Sequence, residues 1–163
     1  MFKSSEVESF LCDLESKLHE VGIDLCSYYV DHLCYRVSTI ERYNELRSEL
    51  SKDHVLLHEA IISSRPIASF KMNTPFRYKN LEIPLLELPS PKPGSDYNEG
   101  FEHAEAVITT SFEEFSSMFP NVTFDWKGTT KSHNPELRIG FGNISIKLHH
   151  QSLEDVIKEE LNL

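Results

Sequence analysis

The sequence is short of the residues from which several enzyme classes build their sites. It has six glycines in 163 residues, and they form no P-loop, no Rossmann glycine pattern and no G-x-S-x-G elbow. Serine-nucleophile chemistry and glycine-cradled nucleotide binding are therefore not expected. Its three cysteines, Cys12, Cys26 and Cys34, show no CxxC spacing and cannot all pair. That usage suits reduced thiols in a cytoplasmic protein. Basic residues are outnumbered, with 16 Lys and Arg against 26 Asp and Glu and a net charge of −10. Such a field repels phosphate backbones and anionic lipid, so no nucleic-acid partner and no membrane partner are expected. The long apolar run of a membrane span and the basic-then-apolar start of a signal peptide are also missing.

What the chain does have is a local pattern used twice. Val30-Asp31-His32-Leu33-Cys34-Tyr35-Arg36-Val37 and Phe101-Glu102-His103-Ala104-Glu105-Ala106-Val107-Ile108 each read as a strand with an acid and then a histidine near its start. Each runs into a helix signal, Ser38-x-x-Glu41 and Ser111-x-x-Glu114. A strand-to-helix unit repeated about seventy residues on indicates two copies of one module packed together. It also sets two histidines at equivalent positions, where they can converge.

The rest of the chain fits that frame as a single α+β domain over 1–163. Residues 1–29 read as an N-terminal helical extension, with Ser4 or Ser5 as cap, Val7, Phe10, Leu11, Leu14, Leu18 and Val21 at helical spacing, and Gly22 as terminator. Module one, 30–89, reads as strand 31–37, helix 40–51 and strands 55–61, 65–72 and 80–88. Residues 90–100, rich in proline and turn formers, form the linker. Module two, 101–150, reads as strand 101–108, helix 112–119 and strands 122–128, 136–141 and 144–150. A last helix in 151–163 begins at Ser152-x-x-Asp155. The order is βαβββ twice, giving a curved mixed sheet around a cavity with the helices outside.

Strand alternation then assigns faces. Leu33, Tyr35 and Val37 turn toward the helices, leaving His32, Cys34 and Arg36 on the other side; Ala104, Ala106 and Ile108 likewise oppose His103 and Glu105. Glu87 is the one acid near the end of an apolar strand, Lys147 and His149 oppose Ile144, Ile146 and Leu148, and Arg65, Ser69 and Lys71 lie together. Imidazoles and carboxylates on one concave surface suit a divalent ion such as zinc, manganese, iron(II) or nickel. Arg36, Arg65 and Lys71 are candidates to hold a substrate carboxylate or phosphate. Glu105 is the candidate base, or the partner that orients a ligand histidine.

Paired βαβββ modules with a histidine on the first strand of each resemble the vicinal oxygen chelate superfamily of glyoxalase I, extradiol dioxygenases and bleomycin-resistance proteins. More closely, the chain resembles the YecM family, to which metal binding is ascribed. The likeness spans about Val30 to Glu159 and rests on VDHLCYRV (30–37), SRPIASFKM (64–72), LLELPSPK (85–92), EGFEHAEAVI (99–108), Asn134-Pro135 and ISIKLHHQSLEDVI (144–157). The resemblance implies metal ligands at His32, Glu87 and His103, from the first and last strands of the modules. The fourth position departs from the superfamily pattern: where a glutamate is usual, this chain has Lys147 or, two residues on, His149. The implied function is divalent-metal binding, with isomerase, lyase or oxygenase chemistry on a small oxygenated substrate. The alternative is a non-catalytic module sequestering a small anion in the same cavity. Both modules lie in one chain, so a monomer or a homodimer would hold a complete site.

Overall fold

The computed structural model describes residues 2–163. Helix α1 (Ser4–Glu20) is followed by strand β1 (Tyr29–Arg36), helix α2 (Ile40–Asp53) and strands β2 (Val55–Ile62), β3 (Arg65–Tyr78) and β4 (Leu81–Pro89). Then come β5 (Gly100–Val107), α3 (Phe112–Met118), β6 (Leu137–Phe141), β7 (Ile144–His149) and α4 (Leu153–Glu160). The seven strands form one mixed sheet in the order β2-β3-β4-β1-β5-β7-β6. β1 pairs in parallel with β4, and β5 with β7. The modules meet where β1 runs antiparallel to β5 at the centre. That seam makes the two histidine-bearing strands neighbours.

One face of the sheet is apolar and covered by helices. Val7, Phe10, Leu11, Leu14 and Leu18 of α1 pack on Leu33, Ala104, Ala106, Ile146 and Leu148, together with Phe112 and Phe115 of α3. Tyr43, Leu46 and Leu50 of α2 pack on Tyr35, Val37, Phe70 and Leu86. Each fully buried leucine stabilises the fold by roughly 1.5–3 kcal/mol, so the α1 stripe anchors the helix firmly. α4 goes to the opposite face. The backbone N–H of Leu153 donates to Asp31 at 2.8 Å, and Glu154 accepts from Lys71 at 3.0 Å.

Helix ends follow their cap chemistry, with two adjustments. Ser111 and Glu114 form the expected capping box, and Ser152 accepts from the Asp155 N–H. α2 is capped by Thr39 instead of Ser38, through the Arg42 N–H at 3.1 Å. α1 starts after Lys3, whose N–H is held by Glu6, so neither Ser4 nor Ser5 is its cap. Gly22 closes that helix with φ of 86°, a left-handed conformation that suits glycine.

Two strand expectations need correcting. β3 continues to Tyr78, because its pairing with β4 skips an irregularity between Lys71 and Phe76 that absorbs Pro75, a residue with no N–H to give the ladder. Residues 122–128 form no strand. They touch the sheet only through Asp125, bonded both ways to Arg138 at 2.8 and 3.1 Å, and then turn through a 3₁₀ segment, Lys127–Thr130. The chain turns where Glu136 packs against Gly128; a Cβ there would lie 2.5 Å from the Glu136 side chain. Val122 and Phe124 are apolar because they pack on the core from a loop.

Candidate metal centre

Strand register decides which side chains meet. Across the seam His32 stands opposite Glu105, and Cys34 opposite His103. β4 sets Glu87 beside Cys34, and β7 sets Lys147 beside Glu105 and Ser145 beside His103. The polar face thus carries one row through His32, Glu105 and Lys147, and a second through Glu87, Cys34, His103 and Ser145. Asp31, His32, His103, Glu105 and His149 are all buried. Buried ionisable groups are costly unless paired, so their concentration on one face makes this the candidate functional site.

The acid before each histidine has a structural reason. The β1–β5 pairing shifts between Val30 and His32 and again between Cys34 and Tyr35, which leaves Asp31 on β1 and Glu102 on β5 as the extra residues. A bulge suspends strict alternation and re-aims a side chain. Asp31 therefore reaches His32 Nδ1 at 2.9 Å, and Glu102 bonds His103 Nδ1. With Nδ1 held, each ring turns Nε2 toward the same oxygen. His103 Nε2 lies 3.2 Å from Glu105 Oε1, and His32 Nε2 lies 3.4 Å from it. Carboxylates that hold the far nitrogen of a histidine are the usual supports of metal-ligating imidazoles. The acid–histidine dipeptides were plain in the sequence. What concealed the orienting role of Asp31 and Glu102 was the bulge, which simple alternation does not foresee.

Two further groups close the cluster. His149 donates through Nε2 to Asp31 Oδ1 at 2.7 Å, and its Nδ1 lies 3.4 Å from Glu105 Oε2. Lys147 Nζ sits 3.1 Å from Glu105 Oε1 and 3.5 Å from Glu136. Charge balance sets the protonation. Burial disfavours the Asp31 carboxylate, but His32 and His149 outweigh it and bring its pKa down to about 2. Glu102, opposed by burial and favoured by His103 and Arg36, also falls to about 2. Glu105 is held well below the usual carboxylate range, since Lys147 and His32 overcome its burial. His32 is raised well above its ordinary value against its own burial, by Glu105 and Asp31. His103 is raised too, against burial, by Cys34 and Glu102, with Lys147 opposing.

The residues present fit a divalent ion. His32 Nε2 is buried and, among the described residues, makes no hydrogen bond of good geometry, its charged neighbour being Glu105 Oε1 at 3.4 Å. Ligands of an ion bound at about 2.0–2.2 Å stand roughly 3.0–3.5 Å apart, and the two imidazole-to-carboxylate separations, 3.2 and 3.4 Å, lie in that range. The ligand atoms of His32, His103 and Glu105 all fall within 4.8 Å of one another. Asp31, His32 and His149 form a second such set, and Cys34, Glu87 and His103 a third. Glu87 thus shares His103 with the first set but stands next to Cys34 and not in the set with His32. The cations expected to hold substrate are dispersed. Arg36 pairs with Glu102 at 3.2 Å and lies over the Tyr97 ring, Lys71 pairs with Glu154, and Arg65 donates to the Ser90 carbonyl at 2.6 Å.

Known proteins share this arrangement of elements. The chain is 25% identical to Protein YecM of Escherichia coli K12 over 175 residues, covering 96% of this chain and 92% of that protein. A structural-genomics structure superposes with a TM-score of 0.82 at 24% identity, covering 96% of this chain and 90% of that one. Methylmalonyl-CoA epimerase, solved with methylmalonyl-CoA and NH4+, shares the fold at a TM-score of 0.53 and 10% identity, over 77% of this chain and 96% of its own. The chain therefore shares the fold of that epimerase, a glyoxalase-like sheet. The family model described as YecM protein matches residues 3–160, nearly the whole molecule, and the chain belongs to that family.

Proposed function

We propose that the chain binds one divalent metal ion through His32, His103 and Glu105, and presents it to a small oxygenated ligand from the polar face of the sheet. The observation that carries this reading is the convergence of His32 Nε2 and His103 Nε2 on one Glu105 oxygen, at 3.4 and 3.2 Å, with the far nitrogen of each ring held by a carboxylate. Two histidines and one carboxylate leave coordination positions open, as a site that admits a ligand requires. Glu105 suits the carboxylate position better than Glu87, because its oxygen faces both imidazoles. When bound, the ion would act as a Lewis acid on ligand oxygens.

The chain's own groups have distinct parts in this reading. Asp31 and Glu102 fix the ring orientations, and His149, bonded to Asp31 and close to Glu105, is the nearest further imidazole. Isomerase, lyase and oxygenase chemistry are all compatible with a scaffold of this kind. A second reading rests on Lys147. Its ammonium already lies 3.1 Å from the carboxylate oxygen that faces both histidines. In that reading Lys147 is the resident cation, and the same face binds a small anion without metal.

Metal analysis separates the two. Protein incubated in turn with zinc, manganese, nickel and iron(II), then desalted, should carry about one ion per chain. His32→Ala and His103→Ala should each lose it, and Glu87→Ala should keep it. Stoichiometric metal in both histidine variants sinks the ligand assignment, and a wild type that takes up none of the four ions transfers support to the lysine reading.

A further inference from the structure

A cavity of about 450 Å³ opens at one end of the sheet, away from the paired histidines, between the exits of β1 and β4 and the β2–β3 hairpin. Its lining includes Arg65 and Lys92 and the hydroxyl residues Ser38, Thr39, Ser64, Ser90 and Ser95. We propose that it is a binding site for a phosphate-bearing small molecule, distinct from the metal centre.

Charge is the first reason. The protein carries a net −10, and most of its cations are spoken for: Arg42 by Glu99, Arg47 by Glu59, Lys71 by Glu154, Lys79 by Glu15 and Lys131 by Glu136. Arg65 and Lys92 line one cavity, and neither enters an ion pair among the described residues. Two uncompensated cations facing one hollow in an acidic protein form a local positive well. The second reason is the geometry of Arg65. Its Nη1 donates to the Ser90 carbonyl at 2.6 Å, which fixes the guanidinium, while its Nε is buried with no hydrogen bond among the described residues. A fixed arginine with donors to spare is the group that recognises planar or tetrahedral oxyanions.

The donor count selects the anion. An arginine, a lysine and five hydroxyls exceed what the two oxygens of a carboxylate engage, whereas a phosphomonoester presents three terminal oxygens. The Thr39 hydroxyl accepts from the Arg42 N–H and keeps its own proton to donate. The volume is larger than phosphate alone needs, and Pro91 and Pro93 supply an apolar wall for the organic part. None of these residues belongs to the proposed metal ligands, so the site stands or falls independently of the metal reading.

The test uses the full chain dialysed against EDTA, titrated by calorimetry with phenyl phosphate, inorganic phosphate and benzoate. Saturable binding is expected, tighter for phenyl phosphate than for inorganic phosphate and weakest for benzoate. Arg65→Gln should weaken phenyl phosphate binding by about tenfold or more, and Lys92→Gln by about threefold to tenfold, as loss of one charge-assisted contact requires. Lys92 is exposed, so its variant keeps the fold and carries the test even if Arg65→Gln melts early. Lys127→Gln, which removes an exposed charge outside the cavity, should bind phenyl phosphate as the wild type does. The proposal is overturned if no saturable binding appears, if benzoate binds as tightly as phenyl phosphate, if Lys92→Gln has no effect, or if Lys127→Gln weakens binding as much as Lys92→Gln does.

Discussion

Replacing Lys147 by methionine should destabilise the metal-free protein and strengthen metal binding at the same time. The side chain is mostly buried and lies 3.1 Å from Glu105, which is almost wholly buried. Removing one member of a buried ion pair typically costs roughly 3–5 kcal/mol, because the other charge is left uncompensated. Here the cost should be lower, about 2–3 kcal/mol, since two protonated imidazoles still face the same oxygen at 3.2 and 3.4 Å. In a chain of this size that corresponds to a fall in Tm of roughly 4–12 °C. Metal reverses the balance. Without an ammonium at Glu105 Oε1, an incoming cation meets less repulsion, and affinity should rise at least about tenfold. The assay is thermal denaturation of wild type and Lys147→Met, in EDTA and across a zinc or manganese titration. At about a thousand times Kd, bound ion adds roughly 4 kcal/mol and should more than restore the variant. A variant as stable as wild type in EDTA, or one that gains no more from metal than wild type, refutes the reasoning.

Acid should unfold the metal-free protein in a defined window. Asp31 and Glu102 titrate near 2 in the folded state against ordinary values of 3.8 and 4.5, so their stabilisation is present above about pH 4.5 and is lost as pH falls toward 2. Asp31 alone contributes on the order of 2 kcal/mol, and Asp31→Asn should flatten the acid limb of stability plotted against pH. His32 and His103 have the opposite sign: both are raised from 6.5, so their contribution is complete below that pH and is lost as pH rises through their folded values. An EDTA-treated sample whose Tm stays flat above pH 7 would contradict this. Leu14→Ala, at a fully buried position in α1, should cost about 2–5 kcal/mol in urea denaturation, and a loss below about 1 kcal/mol would mean that α1 is not part of the core.

Much of this structure was legible in the residues, for identifiable reasons. The packing of two modules with converging histidines followed from the repeated acid–histidine strand, whereas the antiparallel β1–β5 seam that brings this about is seen only in the fold. Alternation placed His32, Cys34, Arg36, His103, Glu105 and Lys147 on the polar face correctly, since Leu33, Ala104, Ala106 and Ile146 had to reach the helices. The misreadings arose where local pattern and tertiary contact diverge. Val122-Thr123-Phe124 has strand composition, but its apolar side chains are consumed by packing from a loop, and the backbone is diverted at Gly128. Asp31 and Glu102 belong to the site only because each sits at a bulge, a feature of the pairing between two strands that neither strand displays alone. Arg36, Arg65 and Lys71 share a face, yet each is drawn to a different partner by contacts distant in sequence.

The most direct measurement is anomalous diffraction from crystals soaked in manganese or zinc, with data collected on both sides of the metal absorption edge. The account predicts a single peak bonded at about 2.0–2.2 Å to Nε2 of His32, Nε2 of His103 and a carboxylate oxygen of Glu105, with the Lys147 ammonium displaced from that oxygen. Crystals that take up no ion there, while Lys147 stays bound to Glu105, would contradict it.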